Sequence, residues 1–225
     1  LGANTTGVAN TALGRQALKG NTTANFNVAV GAESMTSNTT GANNVAIGYE
    51  AGYSNTDQGS NVYIGYQAGY TNNEDSNVAV GSKAMYSGTT ANSNVAVGRD
   101  SLQSITTGST NVAVGRNTLL TDTQGSRSVA LGYQALKTQN FTSATDAYNV
   151  AVGFNAGLSL TTGQQNTLIG GLAGDSLTEA SYNVAIGVEA LAGDTLGSKS
   201  VAVGNAALRA QNFTSATDAF NTAVG

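Results

Sequence analysis

The sequence predicts an all-β chain, a parallel β-roll or β-solenoid with about seventeen residues per coil, and three observations carry that expectation. A five-residue phrase, Asn-Val-Ala-Val-Gly and close variants, recurs thirteen times. Its closing glycines fall at Gly14, Gly31, Gly48, Gly65, Gly81, Gly98, Gly115, Gly132, Gly153, Gly170, Gly187, Gly204 and Gly225, so nine of the twelve intervals are of seventeen, one is of sixteen and two are of twenty-one. Within the phrase, branched apolar residues stand two apart, the spacing that sets side chains on one face of an extended strand. A short fixed period marks an array whose units gain a core only by stacking on their neighbours. Residues 1–225 therefore read as a single repetitive segment of 13 coils.

The first element of each coil is the phrase itself. Three residues before the glycine stands Val in ten copies and Thr in three (Thr11, Thr167, Thr222), and just before it always Val, Ile or Leu. This spacing predicts a short strand with a dry, β-branched face. Between those two positions sits Ala, except at Tyr63 and Leu168. Ala is a poor strand former and a half-exposed strand carries polar residues there, so something is expected to pack closely on that second face. The opposite wall of the same coil and another subunit both fit.

The opening Asn recurs in eleven copies, replaced by Ser128 and Ser200, and stacked at about 4.8 Å it predicts an amide ladder. The phrase glycine predicts a turn with positive φ. Three residues later the side chain is always small, and the next is Leu or Met in most coils but Gly at Gly52, Gly69, Gly157 and Gly174. At the first three of these the apolar group is expected to shift one place, to Tyr53, Tyr70 or Leu158. This second segment is expected to be a short strand, with a single helical turn as the alternative. The remainder of each coil, such as Ser37-Asn-Thr-Thr-Gly41, reads as an exposed turn.

Two coils are four residues longer and share the nine residues from Gln139 to Ala147 and from Gln211 to Ala219, and this recurrence four coils on points to duplication of a four-coil block. The added residues are expected to bulge outward, because stacked strands do not tolerate insertions. The chain opens partway through a coil at Leu1 and closes on a phrase at Gly225, which reads as truncation at both ends from a longer fibre.

Composition narrows the function. Pro, Cys, Trp and His are absent, so a disulfide framework and a Cys/His zinc site are impossible. A net charge of −4 with nine scattered basic residues offers no stripe for a phosphate backbone, and no apolar run approaches the ~18 residues of a membrane span. Without His, Cys or a recognisable carboxylate pair, no catalytic, cofactor or metal site is expected.

The phrase with its downstream Gly132-Tyr-Gln-Ala-Leu136 and intervening Thr-Thr-Gly resembles the repeats of phage tail-fibre proteins along the whole chain. It is similar also to the head repeats of trimeric autotransporter adhesins. The resemblance implies a homotrimer of left-handed parallel β-rolls packed about a common axis, with an Ala face at the shared interface. It implies a structural shaft or receptor-binding segment of a virion tail fibre, joined to other tail or baseplate proteins and attaching to a host cell-surface polysaccharide or protein receptor. The alternative is an adhesin head on a bacterial cell surface; adhesin heads usually have shorter coils and a coiled-coil stalk, and neither matches this chain. At about 4.8 Å per coil, thirteen coils make a rod of roughly 60 Å.

A few residues stand out as candidates. Tyr49 with Tyr66, and Tyr53 with Tyr70 and Tyr86, form aromatic columns if the coils stack in register, either covering the coil edge or gripping sugars. Asp57, Glu74 and Asp75 make a solvated acidic patch or one side of a cation site. Arg99, Arg116 and Tyr133 stand in one column and predict cation–π support. Asn4, Asn21, Asn38, Asn140 and Asn212 match the glycosylation sequon, expected by chance in this composition. Thr pairs such as Thr22-Thr23 and Thr39-Thr40 raise an ice-binding reading by analogy of fold.

Overall fold

The computed structural model describes residues 1–225 as two units, Leu1–Thr110 and Asn111–Gly225, each a run of the same coil. In the first, six three-residue strands follow in order: β1 (Thr11–Leu13), β2 (Val28–Val30), β3 (Val45–Ile47), β4 (Val62–Ile64), β5 (Val78–Val80) and β6 (Val95–Val97). In the second, the repeat strands are β7 (Val112–Val114), β9 (Val129–Leu131), β11 (Val150–Val152), β12 (Thr167–Ile169), β13 (Val184–Ile186), β15 (Val201–Val203) and β17 (Thr222–Val224). Two-residue strands β8 (Gly125–Ser126), β10 (Thr145–Asp146), β14 (Gly197–Ser198) and β16 (Thr217–Asp218) complete it. Within each unit every repeat strand pairs in parallel with the next and in register, strand centre on strand centre, as Ala29 on Ala46 and Ala46 on Tyr63, so the fold is a parallel β-solenoid of 13 coils.

The Ala face has the close neighbour expected of it, while the branched face expected to be dry points outward. The middle residue points into the coil: Ala29, Ala46, Tyr63, Ala79 and Ala96 have no exposed surface, and nor have Ala113, Ala130, Ala151, Leu168, Ala185 and Ala202. The branched residues on either side point outward and are half-buried or exposed. The close neighbour of the Ala face is the opposite wall of the same coil, where Leu18, Met35, Met85, Leu102, Leu119, Leu136 and Leu191 are fully buried. A coil closed by so short a stretch of chain is thin, so one small and one large side chain fill a layer.

That rule explains the four glycines. A Cβ at Gly52 would meet the Tyr63 ring at 2.6 Å, and one at Gly69 would strike the same ring. A Cβ at Gly157 or Gly174 would meet Leu168 at 2.8 Å. The apolar group missing from the turn is supplied by the strand between the two glycine coils. Tyr53, Tyr70 and Leu158 stay half-exposed and do not replace it.

The second segment contains no strand or helix but successive turns. The N–H of Ala17 donates to the Gly14 carbonyl (3.3 Å) and that of Lys19 to Gln16 (3.2 Å), with Gln16 (φ 60°) and Leu18 (φ 47°) in the left-handed region at the third turn position. Two such bends turn the chain around within a few residues, and bonds between coils, such as Met35 N–H to Ala51 (2.9 Å), tie them together. The phrase glycines have φ between 127° and 142°. At Gly81 (φ 135°) a Cβ would lie 2.6 Å from the Gly98 carbonyl, so the column requires glycine both for its dihedral and for contact between coils.

The Asn ladder forms. Asn27 Oδ1 accepts the Asn44 N–H (2.9 Å) and Asn44 Oδ1 the Asn61 N–H (2.9 Å), while Asn27 Nδ2 donates to the Gly41 carbonyl (2.8 Å). Asn149, Asn166 and Asn183 repeat it in the second unit. Each of these amides is fully buried, and each bond made spares a desolvation cost of about 1–3 kcal/mol, while Asn61 Nδ2 is left without a partner.

Candidate interaction surface

Packing within the chain leaves the outward strand face partly uncovered. Along β1–β6, and again along the repeat strands of the second unit, it presents two columns of Val, Ile and Leu, broken only by Thr11, Thr167 and Thr222. Ile47, Ile169 and Ile186 remain 37–39% exposed although coils cover them on both sides. At about 4.8 Å per strand each unit carries an apolar stripe about 30 Å long. A contiguous patch of that extent is the kind that marks an interaction site.

The aromatic columns stand beside the turns, as the register predicted. Tyr49 and Tyr66 stack with centroids 5.7 Å apart, Tyr53 and Tyr70 at 5.2 Å, and Tyr70 and Tyr86 at 5.1 Å. Such pairs contribute about 0.5–1.5 kcal/mol each beyond their buried area. Each ring covers one face of the next, so the stacked columns shield the coil edge. A hydrogen bond to Glu50 and the charge of that carboxylate raise the Tyr49 phenol above its ordinary value, while burial and then Glu50 raise Tyr70, so both stay protonated at neutral pH. Gln67 Nε2 donates to Glu50 (2.7 Å), and Glu33 pairs with Arg15.

The other candidates disperse. Asp57 accepts from its neighbours Thr56 (3.0 Å) and Gln58 (3.2 Å), while Asp75 accepts the Gly59 N–H of the preceding coil (2.5 Å), so each carboxylate is engaged in bonds that hold the turns. Arg99 pairs with Asp100 at 2.9 Å and Tyr133 stacks on Phe154 at 5.4 Å. The cation–π contacts fall elsewhere: Lys83 on Tyr86, Arg127 on Tyr148 and Lys199 on Phe220. Asn21 and Asn38 are wholly buried in a second amide ladder, closed to modification. The hydroxyls of Thr22, Thr39, Thr89 and Thr161 donate to carbonyls of the next coil at 3.0–3.1 Å, which removes them from any ice-ordering array.

The sequence reading missed three features. One is a pair of fully buried carboxylates, Asp122 and Asp194, equivalent positions of the duplicated block, each in the coil before a long one. Asp122 Oδ1 accepts the N–H groups of Gly125 (3.0 Å) and Phe141 (3.2 Å), and Oδ2 accepts Gln139 Nε2 (2.5 Å). Asp194 repeats the arrangement with Gly197, Phe213 and Gln211. These clasps anchor the added residues, whose tips Thr142-Ser-Ala144 are exposed while β10 pairs with β8 and β16 with β14. The block duplication was their signal, since it repeats each Asp along with its long coil.

The second is a notch of about 240 Å³ lined by Leu172, Asp175, Glu189, Ala192 and Arg209. Glu189 is paired there with Arg209 (3.0 Å), and one Asp175 oxygen is buried without a partner; burial raises that carboxyl above its ordinary value. The third is an exposed column two residues before each strand, holding Arg127, Tyr148, Gln165, Tyr182, Lys199 and Phe220 in the second unit. No family model matches the chain, and neither a curated protein nor a solved structure is significantly similar to it.

Proposed function

We propose that the chain is a structural segment of a trimeric viral tail fibre that serves attachment to a host surface, its subunits packed through the outward Val/Ile/Leu face. The observation that carries this reading is the two-column apolar stripe, repeated coil after coil with no chain of its own to cover it. A second copy is the occupant that fits best. The stripe repeats at the strand spacing, and only a partner with the same spacing can cover every coil alike. Each unit's stripe presents about 300 Å² in outline, within the range of the largest patch on a typical monomer, which is often functional. The Ala face is buried inside the coil, which supports the outward strand face as the contact between subunits. The resemblance of the repeats to tail-fibre sequences supports the virion setting over a bacterial adhesin head.

The test is light scattering on the purified chain at micromolar concentration. A mass of three chains is the expected result. A stable monomer at every concentration overturns the reading.

A further inference from the structure

The six residues that stand two places before β9, β11, β12, β13, β15 and β17 form a column on the second unit, Arg127, Tyr148, Gln165, Tyr182, Lys199 and Phe220, and all six are exposed. Its register is fixed by bonds between coils: Gln165 N–H to Ala147, Tyr182 N–H to Gln164 and Lys199 N–H to Ser181, at 2.8–3.1 Å. All six residues hold left-handed φ between 50° and 62°. The same left-handed φ recurs at this position in every coil from Ala9 to Phe220, so the coil imposes the backbone and only the side chains distinguish this column. The matching column of the first unit is mostly small or polar, Ala9, Asn43, Ser60, Ser76, Ser93 and Thr110 with Phe26.

The aromatic residues recur at every second coil, Tyr148, Tyr182 and Phe220, which are 48%, 53% and 68% exposed. Two coils span about 9.6 Å. Unlike Tyr53, Tyr70 and Tyr86, these rings are separated by a polar side chain, so they do not cover one another. Arg127 covers one side of Tyr148 and bonds its hydroxyl (2.8 Å), and Lys199 lies over Phe220 at 5.2 Å. Both cations are neutralised, Arg127 by Asp146 and Lys199 by Asp218.

From this alternation we propose that the column is a binding track for a neutral, extended polysaccharide. One disaccharide of an extended glycan matches the two-coil interval, so alternate sugars meet a ring while Gln165, Arg127 and Lys199 bond the hydroxyls between. The inference rests on the host-attachment reading and names its ligand class.

The experiment is titration of the full chain, by NMR or calorimetry, with cellohexaose as the extended probe, maltohexaose as the helical one and cellobiose as the short one. Cellohexaose is expected to bind at least about tenfold tighter than either. Tyr182→Asn, a residue that tolerates left-handed φ, and Phe220→Ala are each expected to weaken it about tenfold without changing the circular dichroism. Equal affinity for the three sugars, no binding, or binding indifferent to both substitutions overturns the track. Light scattering on the same samples separates the two readings: a trimer that binds no glycan fails this inference alone.

Discussion

At the scale of single residues, Tyr63 defines what a coil can hold. Its ring occupies the space that Leu or Met fills elsewhere, and its hydroxyl donates to Asn72 Oδ1 (2.7 Å). Burial raises this phenol far above its ordinary value, which keeps it a hydrogen-bond donor at neutral pH. Tyr63→Ala restores the common strand residue but leaves a void facing Gly52 and Gly69, and is expected to cost about 3–5 kcal/mol in urea unfolding. Adding Gly52→Met and Gly69→Leu refills the void from the opposite wall, where Met35 and Met85 hold φ of 46° and 50° beside 58° and 60° at the two glycines. The triple variant is therefore expected to regain most of that loss. If it is no more stable than Tyr63→Ala, strand and turn do not share one volume. The pairing was visible in the sequence as two oddities, large residues at two strand centres and glycines at four turns. Only the coil cross-section joins them.

At the scale of elements, the strand, the Gly column and the Asn ladder were legible, because period, dihedral demand and amide stacking each leave a residue type in place. The facing of the strand was not. Val and Ala are both apolar, and in a three-residue strand alternation cannot say which set is inside; the narrow coil decides it by admitting only the small one. The turn segment was misread as strand because Leu, Met, Gln and Glu occupy left-handed positions that turn chemistry assigns to Gly or Asn. The Asp clasps leave a firmer consequence. In Asp122→Asn the amide nitrogen faces Gln139 Nε2, and turning Gln139 over sets its donors against Asn149 Nδ2, which now donates to Oε1 at 2.9 Å. One donor stays unpaired in either arrangement, at about 1–3 kcal/mol. Asp122→Asn is expected to lower Tm by several degrees and to speed limited proteolysis at residues 142–144. An unchanged Tm and cleavage rate would mean that the carboxylate does not hold the long coil.

At the scale of the whole molecule, the repeat assigns its two strand faces to different levels of organisation, and substitutions can separate them. Stability inside a coil array is a sum of coil and nearest-neighbour terms, so an interior change acts on the fold, while an outward change acts on whatever covers the stripe. Ala79, with no exposed surface, faces the filled opposite wall; Ala79→Val overpacks that layer and is expected to cost about 1–3 kcal/mol in unfolding. Val80 and Val152 are outward neighbours of buried strand centres, one in each unit, and are half-buried by adjacent coils. The double variant Val80→Lys and Val152→Lys keeps every bond between coils and can place its charges in water when the chain is alone. In an assembly closed by the stripe, the same charges would be buried without partners, at a cost of several kcal/mol per ion. The double variant is therefore expected to sediment as a monomer with the parent's circular dichroism, and Ala79→Val to keep the parent's mass with a lower Tm. An assembly that survives both lysines would remove the stripe from the interface.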